Sequence, residues 1–90
     1  MQNERQLTIA RANTALQCAI PLDGSALLIT VTCPTSMTWE VRTPTRDRAT
    51  AFIAAAVEAL TGIGTVTSRG TEPLLTDPQG PQRVTIMMTL

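Results

Sequence analysis

Three stretches of this chain alternate their side chains with a period of two, and that pattern dictates a sheet. In residues 26–33, Leu27, Ile29, Val31 and Cys33 alternate with Leu28, Thr30 and Thr32. In 37–43, Met37, Trp39 and Val41 fall on one face and Thr38, Glu40 and Arg42 on the other. In 83–90, Val84, Ile86, Met88 and Leu90 alternate with Thr85, Met87 and Thr89. Alternation rich in β-branched residues is the strand signature, and each such strand has one face to bury. The short Pro34-Thr35-Ser36 link makes the first two strands a hairpin. Residues 64–69 form a weaker strand. Residues 71–81 hold three prolines and Gly80 and read as a long hairpin loop. Leu74 and Leu75 are unusual there, and either dock on the core or are offered to a partner.

A helix after Pro44 supplies the second layer. Thr43 or Thr45 can cap it, and proline suits a first-turn position. Ala49, Phe52, Ile53, Ala56, Val57 and Leu60 make one apolar stripe, and Gly62 provides a left-handed stop. Residues 3–19 admit two readings. Asn3 with Gln6 resembles a capping box, and Ile9, Ala12, Leu16, Ala19 and Ile20 fit a helical stripe. Leu7 and Ile9 also fit a strand, and Thr8, Asn13 and Thr14 are poor mid-helix residues. The balance favours a helix, with Pro21-Leu22-Asp23-Gly24 as the turn into the sheet. The expected fold is α+β, in the order α-β-β-α-β-β: a two-layer sandwich of a four-stranded antiparallel sheet with two helices on one face. The two halves meet near Thr43 and share a pattern without sequence identity. This connectivity matches a circular permutation of the ferredoxin-like order. The alternative is six strands covered by a single helix.

Ninety residues are expected to form one domain. Hydrophobic residues make up 43% and charged residues only 16%, with seven basic against seven acidic side chains. All the basic residues are Arg, which points to coding bias rather than seven guanidinium sites. A sparsely charged, neutral surface favours being covered in use. No apolar run is long enough to span a membrane, and the polar start lacks a signal-peptide core. The sequence therefore reads as cytoplasmic, with Cys18 and Cys33 as reduced, small core residues rather than a disulfide.

The chain has no histidine, lysine or tyrosine, which removes most neutral-pH acid/base chemistry. Triads built on His are excluded. A Cys or Ser nucleophile would need activation, and both cysteines sit in apolar stretches. The acids Glu4, Asp23, Glu40, Asp47, Glu58, Glu72 and Asp77 are scattered. No metal-ligand spacing or phosphate-binding glycine loop is present, so no cofactor or metal is expected. The chain reads as a non-enzyme.

Binding features are more informative. Trp39, Arg42, Arg46 and Arg48 cluster in sequence where a strand meets a helix N-terminus, a combination that attracts anions. Asp47 and Glu40 offset part of that charge, and few aromatics are present for base stacking. Trp39 fits a core position better than an exposed anchor. On the outer face of the helix, Ala51, Ala54, Ala55 and Ala59 would let a neighbour approach closely. Sixteen threonines occur. Thr30, Thr32, Thr38, Thr85 and Thr89 fall opposite the apolar strand faces, marking a flat, weakly charged sheet face for a partner. The last strand is either central or a bare edge.

The reading is a small non-catalytic protein-binding module, self-association included, of the accessory or inhibitor kind that bacteria and phages often carry at this size. That likeness to bacterial and phage proteins is analogy alone. The expected surfaces are Thr30 and Thr32, the Trp39–Arg48 corner, and Leu74 with Leu75. Nucleic-acid or phosphate binding through Arg42, Arg46 and Arg48 is the alternative, and a minimal Cys-dependent enzyme ranks last.

Overall fold

Phe52 and its helical neighbours show how the sequence builds this structure, a computed structural model that describes residues 4–90. Helix α2 (Arg46–Leu60) buries Ala49, Phe52, Ala56 and Leu60, the stripe its spacing demands. Thr45 is the N-cap, its Oγ1 accepting from the Arg48 N–H at 3.2 Å. Pro44 therefore lies just outside the helix rather than in its first turn. Gly62, at φ 85°, takes the left-handed stop. Gly64 follows where only a glycine fits: a Cβ there would stand 2.6 Å from the Met88 sulfur and 2.8 Å from the Thr89 carbonyl.

The N-terminal segment is helix α1 (Glu4–Ala19), with Ala12 and Leu16 buried and Ile9, Ala15 and Ala19 partly so. The six-strand alternative does not hold. The expected Asn3–Gln6 cap lies outside the described residues. Four strands follow the expected order: β1 (Ala26–Thr32), β2 (Ser36–Thr43), β3 (Thr65–Pro73) and β4 (Gln82–Thr89). They form one antiparallel sheet in the order β1-β2-β4-β3. The final strand is thus central, and the two edges are β1 and β3. This is the arrangement reached by moving the first strand of a ferredoxin-like order to the chain end. The weak strand is longer than expected, so the loop shrinks to residues 74–81.

The register exposes an internal two-fold relation. Trp39 pairs with Ile86, flanked by Met37–Met88 and Val41–Val84, all fully buried. Each inner strand then pairs with an outer strand that carries a register shift near its start, at Leu28 in β1 and Thr67 in β3. The two α-β-β halves repeat the same construction around the Trp39–Ile86 pair.

Two polar contacts pin the layers. Trp39 is buried, and its Nε1–H donates to Asn13 Oδ1 of α1 at 2.9 Å. Asp23 organises the α1–β1 turn, its Oδ1 accepting from the Ser25 N–H and hydroxyl at 3.2 and 2.7 Å. The Arg48 Nε of α2 lies 3.4 Å from Asp23 Oδ2. The Ser25 hydroxyl, and then the Ser25 N–H and the Arg48 charge, hold the Asp23 carboxyl below its ordinary value of 3.8.

Both cysteines are exposed, against the expectation of core positions. Cys18 lies off the buried stripe of α1, and Cys33 follows the Leu28 shift onto the wrong side for the core.

Two outcomes follow. Asn13→Ala leaves the buried indole N–H without its acceptor and should cost about 1–3 kcal/mol in urea denaturation; a loss below about 0.5 kcal/mol would show that water replaces the amide at no cost. Asp23 has a lowered folded pKa, so its contribution is present above the ordinary carboxylate value and fades as the pH falls through the folded one. Asp23→Asn keeps an acceptor for Ser25 and removes the charge. Its urea midpoint should fall less than the parent's between about pH 5 and pH 2; parallel pH curves for the two proteins would contradict this.

Candidate functional site: the uncovered sheet face

The helices cover one face of the sheet, and the core cluster draws from α1, α2 and the strand residues facing them. Among the described residues, no helix lies on the other face. Its composition follows from the register, because directly paired residues in an antiparallel ladder share a face. Thr38, Thr85, Met87 and Thr89 lie on it, as the alternation of β2 and β4 demands.

Strand β1 departs from expectation. Leu27 pairs with Val41, but Ile29 pairs with Glu40, so Leu28 is an extra residue that reverses the alternation. From there on, Thr30 pairs with Trp39 and Thr32 with Met37, which places both threonines on the helix side. Ile29 and Val31 go to the uncovered face. The expectation that Thr30 and Thr32 belong to the open face, with Ile29 and Val31 in the core, is therefore reversed. Leu28, Ile29 and Val31 are each about half exposed, and Met87 is exposed as well. The clue lay in three consecutive apolar residues, Leu27-Leu28-Ile29, which strict alternation does not allow.

The face divides into two ends. At one, Val31, Thr38, Met87 and Ser68 form a cross-strand row without charge, with Ile29 beside it. At the other, Arg42 and Arg83 pair across β2 and β4, and Arg83 donates from Nε and Nη2 to Glu72 Oε1. Glu40 lies next to Ile29. The result is an apolar half beside a charged half that is largely neutralised by its own pairs.

The remaining residues expected at a site do not gather. Trp39 is fully buried and offers no ring to a partner. Arg42 is exposed on the uncovered face, whereas Arg46 and Arg48 lie at the start of α2 in the opposite layer. Three of the N–H groups at that helix start, those of Arg46, Arg48 and Ala49, already have partners. Arg46 N–H donates to the Gln79 carbonyl at 3.3 Å, and Ala49 N–H to the Thr45 carbonyl at 3.0 Å. The Arg48 side chain is engaged by Asp23. An anion arriving there would compete with bonds the fold already makes.

Leu74 and Leu75 are both exposed, Leu75 at 65%. Their loop is held from inside by Gln82, a buried residue whose Nε2–H donates to the carbonyls of Pro78 and Gly80 at 3.0 Å each. Its Oε1 accepts from the Thr71 hydroxyl at 3.1 Å. The leucines thus ride on a fixed support, far along β3 from the β1 edge.

Among the described residues, no three His, Cys, Asp or Glu side chains come together, and no helix is long and apolar enough to cross a membrane. Magnitudes favour the apolar surface as the binding feature. Full burial of an aliphatic side chain contributes about 1.5–3 kcal/mol, so covering a half-exposed Ile29, Val31 or Leu28 returns about 1 kcal/mol each. A solvent-screened ion pair such as Arg83–Glu72, with both side chains exposed, contributes less.

No protein-family model matches the chain, and neither does any curated protein. Among the solved structures that resemble it are two of the same kind of protein. One is the crystal structure of the type 4 fimbrial biogenesis protein PilO from Pseudomonas aeruginosa, at 12% identity and a TM-score of 0.47, over 97% of this chain and 67% of that one. The other is the core region of PilO from the type IV pilus system of the same organism, at 13% identity and a TM-score of 0.40, over 99% of this chain and 90% of that one. A likeness this loose concerns the general layout of helices and strands and not the residues of any site.

Proposed function

We propose that this chain is a non-catalytic protein-binding module that works through its uncovered sheet face. One observation carries the reading: the Leu28 shift turns Ile29 and Val31 out of the core, beside Met87, on a face that none of the described elements covers. Strand residues that alternation would have buried are instead held at the surface. An apolar patch rimmed by polar groups is the usual mark of a protein–protein contact. The Arg42, Arg83 and Glu72 end gives such a contact its polar rim. Recognition needs no titrating group, which agrees with a chain that has no histidine and scatters its acids.

A photo-crosslinking amino acid placed at Met87 on this face, and in a separate protein at Ala54 on the exposed side of α2, tests the reading in cells. Protein adducts should form from position 87 and be scarce from position 54. Adducts from neither position, or equally from both, would remove the support for this face.

A further inference from the structure

We propose that the free edge of β1 pairs antiparallel with β1 of a second copy, joining two four-stranded sheets into one. This rests on the protein-binding reading above and names its partner.

The argument begins with backbone groups. Cys33 N–H donates to the Ser36 carbonyl at 2.8 Å, so Cys33 and Ser36 are a hydrogen-bonded pair across the β1–β2 hairpin. Direction alternates along an antiparallel strand. Val31 and Ile29 therefore turn their N–H and C=O groups toward β2, and Thr30 and Thr32 turn theirs outward. Among the described residues, no strand lies beyond β1 in the sheet. The row offered at this edge is that of Thr30 and Thr32, and another strand satisfies such a row in full.

The two edges differ in how they meet a second chain. Strand β3 carries Arg69, Gly70, Glu72 and Pro73, the charges and breakers that discourage edge pairing. Strand β1 reads Ala-Leu-Leu-Ile-Thr-Val-Thr, with no charge, glycine or proline. A two-fold contact sets a surface against itself, so any charged residue near its centre meets its own like charge. β1 has none to meet, and the chain as a whole has no formal net charge to repel its copy.

One register uses every outward group. With Val31 opposite Val31 of the second copy, Thr30 faces Thr32 and Thr32 faces Thr30, and all four threonines exchange backbone bonds. Their side chains form Thr–Thr pairs on the helix side, a favoured cross-strand combination. On the uncovered face the two valines meet as a non-hydrogen-bonded pair, where side chains approach most closely. Ile29 flanks them on each side, and the apolar end of one face runs into that of the other. The Leu28 shift limits the pairing to the part of β1 that follows it.

Light scattering at about 100 µM, above the Kd of a modest edge-paired dimer, should give twice the mass of a single chain. Thr30→Pro removes only an outward-facing N–H, a position where edge strands tolerate proline. It should give a folded monomer by circular dichroism, while Thr30→Ala stays dimeric. With Cys18 and Cys33 replaced by Ser, Val31→Cys should oxidise to a symmetric disulfide dimer, and Thr38→Cys on β2 should not. A parent protein that is monomeric at this concentration overturns the self-pairing, whereas adducts with other proteins at position 87 would keep the protein-binding reading. A dimer that survives Thr30→Pro but is lost in Met87→Lys means the copies meet by their faces, which overturns the edge pairing alone. A dimer indifferent to both substitutions overturns the edge pairing too, and the adducts at position 87 still decide the protein-binding reading.

Discussion

The buried indole of Trp39 is the contact on which the two layers depend. It stands opposite Ile86 at the centre of the internal two-fold relation, and its Nε1–H reaches Asn13 on α1. The largest side chain of the core thus fills the midpoint of the sheet and also fixes how α1 lies over it. A buried indole N–H without a partner is costly, so the helix cannot slide along the sheet without losing that bond. The rest of α1 is held more weakly. Its stripe is short, with Ala12 and Leu16 as its fully buried members. Arg5 adds a tie at the far end, donating to the carbonyls of Cys33 and Pro34 at 2.9 and 3.2 Å.

The legibility of the fold follows the same physics. α2, β2 and β4 could be read directly because their burial is one-sided and their periods are unbroken. α1 was ambiguous because its packing relies on small residues, and Asn13, poor in a helix interior, is there for its bond to Trp39. The open face was misread at β1 for one reason. Alternation fixes which residues share a face only while every residue is paired, and the extra Leu28 breaks that condition. Everything after it inverted together: Thr30 and Thr32 moved to the helix side, Ile29 and Val31 moved out, and Cys33 followed them to the surface. The three arginines failed to gather for a different reason. Residues six apart that straddle a strand–helix junction can end in opposite layers of a sandwich, as Arg42 and Arg48 do.

The two edge shifts show how similar construction can serve different ends. Leu28 and Thr67 occupy corresponding places in the two halves, and each twists the start of an outer strand. In β3 the shift delivers Ser68 and Gly70 to the uncovered face, small residues that add little apolar surface. In β1 it delivers Ile29 and Val31. A shift of register costs little when the residues moved outward are polar or absent. In β1 it forgoes burial of two aliphatic side chains, each worth about 1.5–3 kcal/mol when fully covered. A fold that gives up that much inside recovers it if those side chains are covered from outside.

This asymmetry also governs how association would end. Were both edges bare, β1 of one copy could pair with β3 of the next, and each new copy would present a fresh edge. Such head-to-tail contacts do not close on a small number of subunits and lead to fibres. Arg69, Gly70, Glu72 and Pro73 make β3 a poor continuation of that chain. With a single receptive edge, the proposed contact would be two-fold and would use up the edge that made it. The internal two-fold relation of the core is therefore kept where packing needs it and broken at the edges. There, full symmetry would turn a closed pair into an open polymer.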